Sequence, residues 1–276
     1  MKKFASLFVL FVLISFYQAQ EYQIIYNFKY KRDSLSDNYK TDPFVLQIEK
    51  GLSKFMLKTM VDRNEKMDAN TKMFYNLPQE QVVSRNRQTN EFTNYDAQGM
   101  AYYQYPSQST IDWKIETDTK SENNYQLQKA TAKFGGRSWE AWFIKDIPLA
   151  EGPFKFYGLP GLIYEVKDSK NNFIYSLSEI KKLDTPYDTS NILETHFGTS
   201  PVKIDRKKYE KIILNDYSNP YAEYRSMKEG SWMIGVDKDR TIKTLKDLDL
   251  YAKEYQEQKK KNYNPVQLNQ AIQFPK

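Results

Sequence analysis

The sequence contains no cysteine and only one histidine, His196. The first absence excludes disulfide staples, thiolate metal sites and a lipid anchor attached through an N-terminal cysteine. The second leaves too few imidazoles for structural zinc and offers a serine triad only His196, with no serine in a GxSxG setting. His196 is therefore read as a loop residue. Walker loops and dinucleotide fingerprints are also missing. The stretch Gly158-Leu159-Pro160-Gly161 cannot imitate a phosphate cradle, because Pro160 lacks a backbone donor and leucines stand where small residues are needed. No cofactor and no metal is expected. Carboxylates are plentiful, at 35, so a pair such as Asp146 and Glu151 says little by itself. The chain reads as a non-enzyme with no catalytic residue.

Long apolar runs are absent except at the start. Lys2 and Lys3 precede an apolar run from Phe4 to Phe16 and a small residue, Ala19, which are the three parts of a secretory signal. The run is too short for a stop-transfer helix. Residues 1–19 are expected to be removed, giving a mature chain from Gln20 or Glu21 and no integral membrane segment. Loss of the two lysines takes the formal charge from +6 to +4. Lysines 259 to 261 form a tight basic cluster that fits a solvated helix end, and no nucleic-acid partner is expected.

Most of what is present reads as strand. Tyr22, Ile24, Tyr26, Phe28 and Tyr30 alternate with polar neighbours. PFVLQIEKG follows as a second strand ending at Gly51. SKFMLKTMVDRNEKMD reads either as a short helix opened by Ser53 or, by preference, as an irregular strand, since Phe55, Leu57 and Met60 fit neither period. Residues 61–90 are weakly patterned and read as a long connection. A hairpin is expected around Ala97-Gln98-Gly99, followed by a strand with Ile111, Trp113 and Ile115 on one face. Tyr125 to Phe134 and Arg137 to Phe143 form a hairpin joined by Gly135-Gly136, a pair suited to positive φ. LIYEVKDSKNNFIYSLSEIKKLD forms another, turning at Asp168 to Asn172. Beyond Pro186 two helices are expected. One carries Tyr209, Ile212 and Ile213 and stops at Asn219-Pro220; the other is apolar at Leu245, Leu248, Leu250 and Tyr251 and stops before Pro265.

Three of the chain's ten glycines and two of its eleven prolines fall in GPFKFYGLPGLIYEVKD, 152–168. Leu159-Pro160-Gly161-Leu162 is expected to form a type II turn, with Pro160 fixing one φ, Gly161 supplying a positive one, and the two leucines anchoring its base. The hexapeptide Gly158, Leu159, Pro160, Gly161, Leu162, Ile163, together with KATAKFGGRSWEAWF at 129–143 and YNPVQL at 263–268, resembles the GLPGLI family. The resemblance is strongest over the core block 125–185. It implies secreted or periplasmic proteins of Bacteroidetes-type bacteria, with no established function and no catalytic residues to transfer. Many members carry a cysteine before the KAT element, where this chain has Leu127 or Gln128, so any thiol role elsewhere does not carry over.

The expected architecture is mainly β (α+β). It is a single domain over 20–276, built on a curved antiparallel sheet or half-barrel of consecutive hairpins, with about two helices in the 200–265 region. By analogy it is similar to periplasmic carriers of the LolA type. The 22 tyrosines, 16 phenylalanines and 4 tryptophans either fill the core or line a ligand face. Arg137, Trp139, Trp142, Phe154, Phe156 and Tyr157 are the candidates for lining such a cleft. The functional expectation is an exported, periplasmic or secreted binding or carrier protein. Its ligand would be hydrophobic, peptide or glycan, or its partner an outer-membrane receptor or transporter component. A carboxylate-dependent hydrolase and an envelope assembly protein stand as alternatives.

Overall fold

A computed structural model describes residues 21–64, 80–98, 101–195, 198–236 and 240–275. The signal segment, the Gly99 hairpin tip and His196 lie outside the described residues. Along the chain come β1 (Glu21–Tyr30), β2 (Lys40–Glu49), β3 (Leu52–Leu57), α1 (Lys58–Asn64) and β4 (Val82–Asn86). They are followed by β5 (Glu91–Gln98), β6 (Ala101–Gln108), β7 (Lys114–Glu122), β8 (Tyr125–Phe134), β9 (Arg137–Ile144), β10 (Leu162–Asp168) and β11 (Phe173–Leu183). The remainder holds β12 (Val202–Lys203), α2 (Arg206–Ser218), α3 (Ala222–Arg225), β13 (Ile234–Gly235), β14 (Thr241–Ile242) and α4 (Leu245–Lys261).

Twelve of these strands form one open, curved sheet in the order β12-β6-β5-β4-β3-β2-β1-β11-β10-β9-β8-β7. Neighbours pair antiparallel except for the short parallel contact of β12 with β6. The N-terminal strand is thus central, because β1 bonds both to β2 and, over its whole length, to β11. Its alternation is what the sequence predicts: Ile24, Tyr26, Phe28 and Tyr30 are buried on one face. We call this face inner. Phe44, Phe55 and Tyr175 join it, with Phe28 stacked 4.2 Å from Tyr175 and Phe44 stacked 4.8 Å from Phe55. Offset and edge contacts between aromatics add to simple area burial.

The two hairpins predicted through Gly135-Gly136 and Asp168 to Asn172 are both present. Gly135 and Gly136 take φ of 61° and 80°, and Asp168 Oδ1 accepts from the Phe173 amide across the second turn. Other boundaries differ from the sequence reading. SKFML is strand, but KTMVDRN is helix α1, and the stretch read as a long connection contains β4. The pattern was hidden because Ser53 to Leu57 and Val82 to Val83 are buried regardless of pleat, with cover on both faces. Gln47 and Lys54 show what covers the second face. Gln47 donates to the Tyr187 carbonyl, and Lys54 bonds Thr189 and pairs with Glu49 and Glu194, each at 2.9 Å. Ile115 lies 46 % exposed on edge strand β7 instead of facing inward with Ile111. That edge carries Lys114, Glu116, Lys120 and Glu122 and a register shift, features that discourage uncontrolled strand pairing.

The two long helices appear where expected. Asp205 caps α2 by accepting from the Lys208 amide, and Thr244 caps α4 by accepting from the Asp247 amide. Leu248 and Ala252 of α4 are buried, whereas Leu245 and Leu250 face outward. Lys259 is not simply solvated; it pairs with Asp216 of α2 at 2.7 Å. Helix α2 seats Tyr209 against β5 and β6, stacking on Tyr105 at 4.5 Å and donating its hydroxyl to Asp96.

Asp96 is fully buried, and among the described residues it is met by hydrogen-bond donors and not by a cation. Burial pushes its carboxyl up from the usual range to about 6, and the charge of Glu80 adds to the rise. The bonds from Tyr209, the Ala97 amide and Gln98 act in the opposite direction. Between the unfolded value of about 4 and the folded value of about 6, the native state holds the extra proton. This group's contribution therefore weakens stability as pH rises through that window. Asp96→Asn removes the dependence: its stability relative to the parent should climb by about 2–3 kcal/mol from pH 4 to 6 and then level off. Urea titrations across pH check this, and a difference that stays constant from pH 4 to 7 would contradict it.

Candidate functional site

The segment between β9 and β10 carries most of the residues singled out from the sequence, and it turns back into the inner face. Its backbone is held by the Gly158 amide to Ala150 O, Leu162 amide to Ile147 O and Ile163 amide to Glu151 O, each at 3.0 Å. Leu159, Leu162 and Ile163 are buried and Pro160 is exposed, as a turn with an apolar base requires. The glycine chemistry differs from the expected type II turn. Gly161 has no positive φ; the left-handed residues of the corner are Gly158, at 93°, and Phe154, at 54°. Gly161 is needed for space instead. A Cβ there would lie 2.1 Å from the Ile144 carbonyl oxygen, and one on Gly152 would lie 2.7 Å from the Phe156 oxygen.

Phe156 sits at the centre, with no exposed surface. Its ring contacts Trp139 at 4.5 Å, Phe134 at 5.5 Å, Tyr175 at 5.8 Å and Phe154 at 6.4 Å. Tyr157 continues the plug toward β4 and β5. Its hydroxyl donates to Ser109 O, its carbonyl accepts from the Trp113 indole, and the Arg85 guanidinium lies 4.1 Å from its ring centre. Of the six candidate cleft residues, Arg137, Trp139, Phe154, Phe156 and Tyr157 gather here, four buried and Tyr157 half-buried. Trp142 does not join them. The pleat puts it on the outer face, where Lys120 lies 4.6 Å over its ring and its indole donates to Glu140.

Three buried cations tie the corner and the sheet to the rest of the chain. Arg85 donates to both oxygens of Glu151 at 2.6 Å, and Arg87 adds a third bond at 2.8 Å. Arg137 pairs with Asp168 and also donates to Asn264, Pro265 O and Val266 O of the C-terminal segment. Lys155, 2 % exposed, donates to Gln267 Oε1 at 2.9 Å. Desolvation lowers the Lys155 ammonium pKa to about 8, with Glu80 opposing and Arg206 adding to that shift. A neighbouring cation, Arg206, bonds Glu80, Tyr105 and Gln270 O. YNPVQL therefore lies against KFGGR and the corner, so the sequence blocks that carry the resemblance meet in space.

The sequence reading missed Arg85, Glu151, Lys155 and Gln267, because each becomes distinctive only beside a partner far along the chain. Chemically, the buried carboxylates are occupied: Glu151 and Asp168 by arginines, Glu80 by Arg206, Asp96 by hydrogen bonds. No group of three or more metal-ligating side chains occurs among the described residues. No helix among them is long and apolar enough to cross a membrane.

A family model described as "Protein of unknown function (Porph_ging)" matches residues 54–165, a span that ends inside β10 and includes the corner. No curated protein matches. Two solved structures of PNGF-II, from crystals in space groups C2 and P21, are similar in fold. Each gives a TM-score of 0.51, at 16 % and 17 % identity respectively. Each comparison covers 71 % of this chain and 33 % of the other, so the chain spans about a third of the length of those structures. The likeness is one of β-rich fold.

Two glycine substitutions separate the reasons for glycine in the corner. Gly161→Ala, which drives a methyl into the Ile144 carbonyl, should cost about 2–3 kcal/mol or more. Gly158→Ala meets open space and bears only the left-handed backbone cost of about 1–2 kcal/mol. Urea unfolding of both variants gives the order, and a larger loss for Gly158→Ala would contradict the packing account.

Proposed function

We propose that the protein is an exported cell-envelope protein of the GLPGLI type that acts by binding a macromolecular partner on its outer surface. The observation that carries this reading is the complete burial of Phe156 among the aromatics of the inner face. A carrier that holds an acyl chain within its sheet needs an apolar hollow, and here the corner supplies the apolar contents itself. The same filling weighs against a hydrolase, since the acids nearest the corner are neutralised in ion pairs with arginine.

A partner then meets the outer face of β7 to β10, where Trp142 stands among Lys120, Lys129, Glu140 and Lys167. Tryptophan is among the side chains most enriched at the energetic centres of interfaces. The signal at 1–19 and the lack of cysteine support export to the periplasm without a lipid anchor. The test is native mass spectrometry of the protein taken from its own envelope, together with photo-crosslinking from position 142 and, as a control, from Leu35. The expected result is a bare polypeptide mass and one discrete crosslinked macromolecule from position 142 alone. A stoichiometric lipid or other small molecule on the protein would overturn the reading.

A further inference from the structure

The Lys155–Gln267 contact sets a buried amine directly against a buried carboxamide. The lysine is 2 % exposed and the glutamine 4 %. Their side chains approach with the amine nitrogen 2.9 Å from the amide oxygen, and the carbonyl carbon is one bond beyond, about 1.2 Å. No carboxylate among the described residues forms an ion pair with this lysine, and Phe154 and Phe92 lie 5.3 and 5.9 Å from its nitrogen. The backbone that carries the amide is held on both sides. Gln267 Cα lies 2.9 Å from where a Cβ on Gly135 would stand, Arg137 grips Pro265 O and Val266 O before it, and Arg206 grips Gln270 O after it.

We propose that Lys155 and Gln267 join through a spontaneous isopeptide bond, stapling the C-terminal segment to the corner of a chain that has no disulfides. The lone pair of Nζ attacks Cδ of Gln267. The Nζ–Cδ bond forms, the Cδ–Nε2 bond breaks, and ammonia leaves carrying a proton shed by Nζ. Oε1 remains as the carbonyl oxygen of the new secondary amide. Nothing is oxidised or reduced, and no co-reactant is needed.

Three features favour the step. Holding the two groups in contact converts a bimolecular aminolysis into an intramolecular one, for which effective concentrations are very high. Desolvation lowers the ammonium pKa to about 8, so a minor but appreciable fraction, roughly a tenth at pH 7, is the nucleophilic free base. The surrounding rings exclude the water that would hydrolyse the amide instead.

The test needs only the full-length protein, denatured and digested with trypsin. The expected product is residues 146–167, uncleaved after Lys155, linked to residues 262–276, with the pair lighter than its parts by one ammonia. Cyclisation of an N-terminal glutamine also loses ammonia but cannot link these peptides. Lys155→Met should release 262–276 as a free peptide. The proposal is overturned if the parent yields cleavage after Lys155 with free 262–276, whether that peptide is intact or hydrolysed to glutamate at 267. It is overturned equally if the linked mass survives in Lys155→Met.

Discussion

An open sheet of twelve strands has an inner face that must be covered, and in this protein Phe156 and its neighbours provide the cover. The two long helices leave the centre of that face free: α2 covers only its β5–β6 end, through Tyr209 on Asp96 and Tyr105, and α4 packs back on α2 and on the small cluster around Trp232. At the centre of the sheet the corner therefore takes the place that a helical layer holds in many layered folds, with α2 covering the β5–β6 end. Its aromatics bring together β8, β9 and β11, and Tyr157 with Glu151 carries the contact across to β4. Strands far apart in the sheet thus share one packing centre, which links the hairpins into one cooperative core.

This constraint accounts for the composition of the corner. The segment must double back beside β9 closely enough for Gly161 to touch the Ile144 carbonyl, and it must reverse direction at Phe154 and Gly158. It must also bring a carboxylate, Glu151, into an apolar interior. Such a charge is tolerated only with matched partners, and the bidentate Arg85 with Arg87 supplies them. Lys155 points toward the C-terminal segment, whose carbonyls and amides receive Arg137, Lys155 and Arg206 in turn. The glycine pair at 135 and 136 then has two tasks: turning the β8–β9 hairpin, and leaving room for Gln267 and Leu268 to pass.

Much of this arrangement is legible in the sequence. The alternation of β1, the hairpins at 125–144 and 162–183 and both long helices follow from local periodicity and turn residues. What local pattern does not disclose has a common cause. Strand β4 looks polar because Arg85 is buried only through Glu151, 66 residues away. Trp142 sits among core aromatics in the sequence, but the pleat of β9 turns it outward. Gly161 reads as a turn glycine until the Ile144 carbonyl appears beside it. In each case the deciding neighbour comes from another part of the chain.

The most direct measurement on this account is the unfolding free energy of Phe156→Ala, followed both by far-ultraviolet dichroism and by tryptophan fluorescence. If the ring is the shared packing centre, the loss should be about 3–5 kcal/mol, the range for truncating a buried phenylalanine. Both signals should also still fall in one transition. A loss under about 1 kcal/mol, or one confined to fluorescence while the sheet unfolds as before, would contradict a filled inner face and restore the corner as the lip of an open cleft.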